Sequence, residues 1–264
     1  MMLLRPAHLV LLLSFASAHA QQAEVDRILS GTQASVILLA VPTNRILAQS
    51  GPSVQALPGS TLKPFVLLAA LSNGLVQPGT TVECRGTLTV SGRNLACTHP
   101  RTQTVFDARS ALAYSCNTWF ARLAERMTPE QIRQSLLPFG IPVASPLTSS
   151  DDRILTVLGL TGARVTPLQL AHAYRLLALH PNPTVAGALA DSVQFGMADN
   201  ARTPNLAGKT GTAADPGQSR THGWFAGILS PPGKPSTVLV VYVSSGSGAD
   251  AAALAQRILK ALHP

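Results

Sequence analysis

The segment TLKPFVLLAALS at residues 61–72 constrains the fold of this chain more than any other, because it is apolar on nearly every face. A helix with this pattern is buried on all sides, whereas a surface helix has a single apolar stripe. Asn73 and Gly74 are typical of the end of a helix. The rest of the chain must therefore surround this helix, and 264 residues, 46% hydrophobic and 12% charged, are enough to do so.

Strand-like segments lie at both ends of the chain, and helical segments lie between them. Five segments have the composition of strands: residues 35–41, 45–50, 206–212, 223–229 and 236–245. Residues 111–127 show helical spacing that breaks near Ser115, and Thr128 and Thr166 each begin a Thr-Pro-x-Gln helix start. We expect an α+β domain: an antiparallel sheet of about five strands from both chain ends, flanked by terminal helices, with an inserted all-helical subdomain.

Residues 1–20 have the pattern of a secretory signal peptide. Arg5 is the charged flank of a short apolar run, and the small residues Ala18 and Ala20 predict cleavage after Ala20. An uncleaved anchor on a membrane surface is the alternative, although the run is shorter than a spanning helix. Both interpretations predict that residues 21–264 form one exported domain, in the periplasm or at the outer face of the cytoplasmic membrane.

The basic residues of the chain exclude one class of partner and indicate a chemistry. The formal net charge is +8, but no run of Lys and Arg interleaved with aromatics exists, so nucleic acid is not an expected partner. Only four of the 20 basic residues are lysines. Lysine can lose its proton when it is buried and arginine cannot, so these four are candidates for acid–base chemistry: Lys63, Lys209, Lys234 and Lys260.

Three cysteines and three histidines are assigned structural roles. In an exported protein Cys84 and Cys97 are the candidate disulfide pair, with two free thiols as the alternative. Cys116 has no histidine paired with it in the sequence and is interpreted as a small buried filler. Three histidines lack metal-ligand spacing, so packing or surface roles and no metal site are expected: His99, His172 and His222.

Two short motifs contain residue types that are suited to nucleophilic attack and to the relay of a proton. Ser60 and Lys63 are three residues apart at the start of the apolar helix, and a buried lysine can act as the base for a serine hydroxyl. In Ser115-Cys116-Asn117 the hydroxyl can relay a proton and the amide can hold a substrate amide. A capping serine followed by a snorkelling lysine is the structural alternative for the first motif.

A third motif lies in LAGKTGTA, on a predicted strand. Gly211 lets a ligand lie close to the strand, Lys209 supplies a cation, and Thr210 and Thr212 offer hydroxyls to a carboxylate. A phosphate-binding loop is excluded, because Thr203 stands where its first glycine belongs.

Ser-x-x-Lys, Ser-x-Asn and Lys-Thr-Gly occur in the order found in penicillin-binding proteins and active-site serine β-lactamases. The chain resembles the transpeptidase domain of penicillin-binding proteins, the class B kind in particular, over about residues 30–260. PGSTLKPF resembles their nucleophile segment, and ALAYSCNTWFARLA resembles their second-motif helix pair. VTPLQLAHAY resembles the segment before the third motif, and GKTGTA followed by HGWFAGILSP resembles that motif and the next strand. The stretch from Cys84 to His99 resembles their paired-cysteine loop.

The resemblance implies a D,D-transpeptidase that acts on D-alanyl-D-alanine stem peptides of peptidoglycan, is acylated by β-lactams and needs no cofactor or metal. It implies Ser60 as nucleophile and Lys63 as its base, with Ser115 and Lys209 passing a proton to the leaving amine. The implied substrate-binding residues are Asn117, Thr210, Gly211 and Thr212. The backbone N–H groups of Ser60 and Thr212 would form the oxyanion hole.

Other fates of the acyl-enzyme stay open at this point. The segment between the second and third motifs is short, closer in length to class D β-lactamases and sensor domains. A D,D-carboxypeptidase would use the same site with water as acceptor. Asn117 argues against a class D-like β-lactamase, which usually has an apolar residue there. A non-catalytic β-lactam sensor is the alternative of another class, and a cell-wall synthesis complex is the candidate partner that would target the chain.

Overall fold

A computed structural model describes residues 19–144 and 146–262 of the chain. The predicted signal peptide lies outside the described residues except for His19 and Ala20, which belong to helix α1, described over residues 19–29. Within these ranges, no helix has the length and apolar content needed to cross a bilayer.

A five-stranded antiparallel sheet is built from both ends of the chain. The strands are β1 (Ala34–Ala40), β2 (Ile46–Ser50), β3 (Val82–Glu83), β4 (Thr89–Val90), β5 (Arg93–Asn94), β6 (Val105–Phe106), β7 (Leu206–Ala213), β8 (His222–Leu229) and β9 (Thr237–Val243). The main sheet has the order β2-β1-β9-β8-β7, and the short strands pair as β3-β6 and β4-β5. All pairings in the main sheet are antiparallel. The predicted five strands are therefore confirmed, and β7 is an edge strand.

The helices between β2 and β7 form the inserted subdomain. They are α2 (Lys63–Ser72), α3 (Ala108–Ala113), α4 (Asn117–Arg126), α5 (Pro129–Leu136), α6 (Ser150–Val157), α7 (Pro167–Leu179) and α8 (Pro183–Gln194), and α9 (Gly248–Leu262) follows the sheet. Short 3-10 turns lie at Gly59–Leu62, Leu137–Phe139 and Asp199–Ala201. Thr128 and Thr166 cap α5 and α7 with the predicted reciprocal hydrogen bonds. The predicted α+β fold is confirmed.

The sheet separates two apolar layers because successive strand residues point to opposite faces. On one face Val36 and Leu38 of β1 pack with α1 and α9, so terminal helices cover that side. On the other face Ile37 and Leu39 pack with the inserted helices, including Phe65 of α2. The site motifs of α2, α4 and β7 thus meet along the side of the sheet that faces the inserted subdomain.

Helix α2 begins at Lys63, two residues later than the sequence predicts. Pro64 has no backbone N–H, so it cannot donate to the carbonyl of Ser60 as an α-helix would require. The backbone N–H of Lys63 donates to that carbonyl instead, which makes Gly59–Leu62 a 3-10 turn. Phe65, Val66 and Leu67 are fully buried as the sequence predicts.

The 3-10 turn packs directly against strand β7. A Cβ atom at Gly211 would overlap the carbonyl oxygen of Pro58 and lie 3.2 Å from the backbone nitrogen of Thr61. Only glycine therefore lets β7 approach this turn without displacing it.

We expect Gly211→Ala to lower the free energy of unfolding by about 1–3 kcal/mol, because the added methyl group overfills a contact with rigid backbone. Gly79→Ala is the matched control, since a Cβ at Gly79 meets nothing within 4 Å. It should change stability by less than about 0.5 kcal/mol. Chemical denaturation of the two variants and the parent measures the difference, and equal midpoints would contradict the packing argument.

Candidate active site

The turn that carries Ser60 is held by side chains from two elements. Trp224 of β8 donates its indole N–H to the carbonyl oxygen of Leu57 at 2.9 Å. Tyr174 of α7 donates its hydroxyl to the carbonyl oxygen of Thr61 at 3.1 Å. Both donors are buried, so the backbone on each side of Ser60 is fixed, and the half-buried serine lies between a sheet anchor and a helix anchor.

The second motif forms the junction between α3 and α4. Ser115 has a φ of 56°, in the left-handed region that residues other than glycine seldom adopt. Cys116 is the N-cap of α4 and Asn117 is its first residue. The predicted break near Ser115 is confirmed, and the sharp change of direction brings Ser115 and Asn117 to the same buried amine.

That amine is Lys63, whose side chain is fully buried. Its Nζ donates to the carbonyl oxygen of Ser115 at 2.9 Å, to the Ser115 hydroxyl at 3.2 Å and to Asn117 Oδ1 at 2.7 Å. Nζ also lies 5.1 Å from the centroid of the Phe120 ring. No hydrogen bond joins Nζ to Ser60, although both residues are among those described. Ser60 and Lys63 are therefore near each other along the chain, but the hydrogen bonds of the Lys63 amine go to the second motif.

Asn117 has both ends of its amide engaged inside the protein. Its Oδ1 accepts from Lys63, and its Nδ2 donates to the carbonyl oxygen of Leu95 at 3.1 Å. The resemblance assigns this side chain to a substrate peptide. In this structure it ties the buried lysine to the loop between Cys84 and Cys97.

Burial changes the pKa values of both lysines of the site. It lowers the pKa of Lys63 from 10.5 to about 8, an effect that the nearby thiol groups of Cys116 and Cys97 partly oppose. Burial lowers the pKa of Lys209 well below its ordinary value, and the charge of Lys63 lowers it further. Lys209 Nζ donates to the carbonyl oxygen of Thr210 at 3.2 Å. Two amines that both lose protons readily are suited to proton transfer.

Strand β7 supplies the third motif along an open sheet edge. Edge strands have backbone groups with no partner strand on one side. Thr212 is exposed, and its backbone nitrogen would lie 2.9 Å from a Cβ at Gly59, so this edge faces the turn that carries Ser60. The hydroxyl of Thr212 accepts from the backbone N–H of Gly248 at 2.8 Å, whereas that of Thr210 donates to the carbonyl oxygen of Met197 at 3.1 Å.

These elements enclose a cleft of about 460 Å³. Six residues singled out from the sequence line it: Ser60, Ser115, Asn117, Thr210, Gly211 and Thr212. Lys63 and Lys209 are fully buried and are not among its lining residues. Sequence reasoning missed other residues that line the cleft, among them Ala96, Thr98, Met197, Ser247 and Gly248. The Gly-Ser-Gly run at 246–248 was the available signal for the last two, because it precedes helix α9.

The three cysteines and His99 lie close together, which the sequence does not predict. The structure contains no disulfide among the described residues, and the Cys84 and Cys97 sulfur atoms lie 3.6 Å apart, so their pairing stays a prediction. Cys116 is buried as predicted, but its sulfur lies 3.9 Å from that of Cys97. His99, which the sequence places with the scattered histidines, has Nε2 3.4 Å from the Cys84 sulfur.

The other two histidines have packing roles. His222 Nε2 lies 2.8 Å from the carbonyl oxygen of Leu57, and His172 Nδ1 lies 3.0 Å from Asn44 Oδ1. His99, by contrast, lies among other potential metal ligands, and the expected absence of a metal site stays a prediction. Four potential ligand atoms of the described residues lie within 4.8 Å of one another: those of Cys84, Cys97, His99 and Cys116.

Comparison with known families shows to which family the chain belongs. The sequence profile described as "Penicillin binding protein transpeptidase domain" matches residues 35–263. The chain belongs to this family. A search of curated protein sequences finds no significant match.

Solved structures share the fold. The transpeptidase domain of Burkholderia pseudomallei penicillin-binding protein 3 superposes with a TM-score of 0.77 at 19% identity, covering 93% of this chain and 92% of that one. The D,D-transpeptidase domain of an Eggerthella lenta peptidoglycan glycosyltransferase gives 0.77 at 19% identity, covering 91% and 80%. In the Helicobacter pylori complex of PBP2 with MreC, the TM-score is 0.80 at 17% identity, covering 92% and 62%. The family and the shared fold support an enzyme of the penicillin-binding type.

We expect the rate at which a β-lactam acylates Ser60 to rise with pH through about 8, the pKa of Lys63. Only the neutral amine can accept a proton, so the rate should increase about tenfold per pH unit below this value and level off above it. Lys209, Cys97 and Cys116 are the titratable groups that face Lys63, and the second-order acylation rate between pH 6 and 10 measures the effect. A profile that is flat across this range would exclude Lys63 as the base.

We expect Lys63→Met to slow acylation by about 10²- to 10⁴-fold, the usual contribution of a general base. Methionine fills a similar volume and removes a buried amine without adding a charge. The variant should keep a cooperative thermal transition, and its residual rate should no longer depend on pH near 8. A folded variant that keeps the parent rate and profile would show that Lys63 only packs.

Proposed function

We propose that this chain is a D,D-transpeptidase, a serine acyl-transferase that acts on D-alanyl-D-alanine stem peptides of peptidoglycan and is acylated by β-lactams. The observation that carries the proposal is the cleft in which Ser60 meets the second and third motifs above a buried amine. The pKa of about 8 for Lys63 makes this buried amine a usable base near neutral pH. The family assignment supports the same class of reaction.

In the first step the Ser60 hydroxyl attacks the carbonyl carbon of the penultimate D-alanine. The Oγ–H proton passes to neutral Lys63, and a tetrahedral intermediate forms. Apo structures often lack the catalytic hydrogen bond, so the missing Ser60–Lys63 contact is compatible with this role. The backbone N–H groups of Ser60 and Thr212 would stabilise the oxyanion, each worth about 2.7–4 kcal/mol in such sites.

The intermediate collapses when the bond to the terminal D-alanine breaks. The leaving amine takes up a proton, and Ser115 is suited to deliver it because its hydroxyl already accepts a hydrogen bond from Lys63 at 3.2 Å. Lys63 then returns to Ser115 the proton that it took from Ser60, so the step balances. Lys209 is the second buried amine of the site, and its pKa responds to the charge of Lys63. An amine acceptor then attacks the acyl-enzyme and forms a cross-link, which regenerates the Ser60 hydroxyl.

The carboxylate of the terminal D-alanine would bind at the third motif. Thr212 is the better placed of the two threonines, because it is exposed and its hydroxyl accepts a hydrogen bond, which leaves its own proton for the carboxylate. The hydroxyl of Thr210 donates to Met197 in this structure and would have to turn toward the substrate. Gly211 adds no side chain between them.

Two observations support this proposal over a β-lactamase. Among the described residues that line the cleft none carries a carboxylate, so no glutamate or aspartate is placed to activate water for hydrolysis of the acyl-enzyme. Asn117 Oδ1 lies 2.7 Å from Lys63 Nζ and Ser115 packs beside it, which occupies the space that a carbamylated lysine would need. Both features favour a long-lived β-lactam adduct.

We also infer that the domain is exported to the periplasm or the outer face of the cytoplasmic membrane, where its substrate is found. A cell-wall synthesis complex is the partner that fits a transpeptidase, and the Helicobacter pylori structure of PBP2 with MreC is an example among proteins of this fold. No nucleic acid and no cofactor enter the reaction.

Intact-mass spectrometry with a fluorescent penicillin, followed over hours, tests the proposal. We expect one adduct on the wild-type chain that persists, and none on Ser60→Ala, because only the Ser60 hydroxyl is placed to attack. Release of D-alanine from a stem pentapeptide, with transfer to an added amine, then tests the transpeptidase itself. Ser53→Ala is a matched control, because Ser53 is an exposed serine outside the motifs.

Each contrary outcome identifies another activity. Loss of the adduct within minutes with hydrolysed drug would make the chain a β-lactamase, and release of D-alanine to water alone would make it a carboxypeptidase. A stable adduct without any turnover of stem peptides or thioesters would make it a sensor. No adduct at all would remove Ser60 from the assignment.

A further inference from the structure

Four metal-ligand side chains converge beside the active-site cleft, in a cluster that the reaction does not use. They are Cys84, Cys97, His99 and Cys116, and their potential ligand atoms all lie within 4.8 Å of one another. Cys84, His99 and Cys116 are buried, and Cys97 is half-buried. Their sequence separations of 13, 2 and 17 residues hide the cluster from motif reading, because no short spacing joins the four.

We propose that this cluster, defined here as the Cys3His site, binds one Zn²⁺ ion tetrahedrally as a structural centre. Three thiolates and one imidazole nitrogen are a common ligand set for structural zinc. On binding, each of the three cysteines releases its thiol proton to solvent and forms a sulfur–zinc bond, while the neutral imidazole donates a nitrogen lone pair. No electron is transferred, so no oxidant or reductant is needed.

Three of the six separations between ligand atoms are close to those of a tetrahedron around zinc, and all six lie within 4.8 Å. With zinc–sulfur bonds of about 2.3 Å, two sulfurs of a tetrahedron lie about 3.8 Å apart, and a sulfur and an imidazole nitrogen lie about 3.6 Å apart. The Cys84–Cys97 and Cys97–Cys116 sulfur pairs are separated by 3.6 and 3.9 Å. The His99 Nε2 to Cys84 sulfur distance is 3.4 Å. A disulfide would require about 2.05 Å between sulfurs and would leave the other two ligands unused.

Backbone groups around the cluster contact three of its four residues. His99 Nδ1 lies 3.1 Å from the carbonyl oxygen of Pro100. A hydrogen bond there places the ring proton on Nδ1 and leaves the Nε2 lone pair facing the sulfurs, as in most zinc-bound histidines. Two backbone N–H groups point at sulfur: that of Gly86 donates to Cys84 at 3.4 Å, and that of Asn117 donates to Cys97 at 3.2 Å.

The surroundings also provide a route of entry and a compensating charge. An open pocket is lined by Cys84, Cys97 and His99, so an ion can reach the ligands from solvent. Arg85 and Arg101 line the same pocket. Three thiolates and Zn²⁺ leave one net negative charge, which these arginines would offset.

The Cys3His site would fix one wall of the cleft. The loop between Cys84 and Cys97 carries Leu95, whose carbonyl accepts from Asn117, and Ala96, which lines the cleft beside Ser60. Cys116, the middle residue of the second motif, is itself one of the four proposed ligands. Zinc would therefore hold the loop and the second motif at a constant distance without touching the substrate.

The test is the zinc content of the full chain, purified without chelator or reductant and measured by inductively coupled plasma mass spectrometry. We expect about one zinc per wild-type chain and a large loss in Cys84→Ser and His99→Ala, since each removes one of four ligands. His172→Ala is the matched control, because this histidine lies outside the cluster and should leave the zinc content unchanged. Ser60→Ala should also keep its zinc, so failure of the proposed function and failure of this proposal are distinguishable.

Replacement of zinc by Co²⁺ gives a second readout that does not depend on activity. Tetrahedral cobalt with three thiolates gives visible ligand-field bands and thiolate charge-transfer bands in the near ultraviolet, and we expect both for the wild type and neither for Cys84→Ser. Three results would overturn the proposal: a metal-free chain lighter by the mass of two hydrogen atoms, which is the disulfide; a metal-free chain with free thiols; or equal zinc in the wild type and the ligand variants.

Discussion

The structure of the site depends on one buried amine. The Lys63 side chain has no contact with solvent, and all three hydrogen bonds of its amine go to the second motif. An unpaired ammonium in an apolar interior costs far more than a hydrogen-bonded one, so the position of α4 relative to α2 is set by the need to satisfy this group. Ser115 adopts an unfavourable left-handed conformation there. The three hydrogen bonds offset that strain, as is common where geometry serves a reaction.

In the proposed reaction, the same burial lets one site supply both a base and an acid. Lys63 and Lys209 are both fully buried, and the charge of one opposes the charge of the other. Two ammonium groups in such a site are therefore costly, and the pair favours the state in which at least one amine is neutral. Groups whose environments favour different protonation states divide the acid and base roles between them. A single proton can then move through the Ser115 hydroxyl, which already contacts Lys63.

The sequence predicts the fold and most of the site because both are encoded by local patterns. The five strands, the cap residues Thr128 and Thr166 and the break at Ser115 all follow from neighbouring residues, and the structure has each of them. The 3-10 turn before Lys63 was readable from Pro64, whose missing N–H decides the hydrogen-bond pattern. The contacts of Asn117 were not, since they depend on a loop more than twenty residues away along the chain.

The cysteine cluster shows the limit of spacing arguments most clearly. Metal motifs are recognised when ligands come in close pairs, and here only Cys97 and His99 are near each other in sequence. The fold brings Cys116 to them because α4 begins at that residue. An interpretation of Cys116 as a filler is correct about its burial and incomplete about its contacts.

The short segment Ser115-Cys116-Asn117 therefore contacts two different groups, the buried amine of Lys63 and the cysteine cluster. The left-handed residue and the helix start send the first and third side chains to Lys63, while the middle one contacts the sulfur of Cys97. Because the three residues share one rigid turn, a displacement of Cys116 must also move the oxygen atoms that hold the buried amine. The loop from Cys84 to His99 thus contacts the second motif through the Cys97 sulfur and the Leu95 carbonyl, although it supplies none of the groups proposed to react.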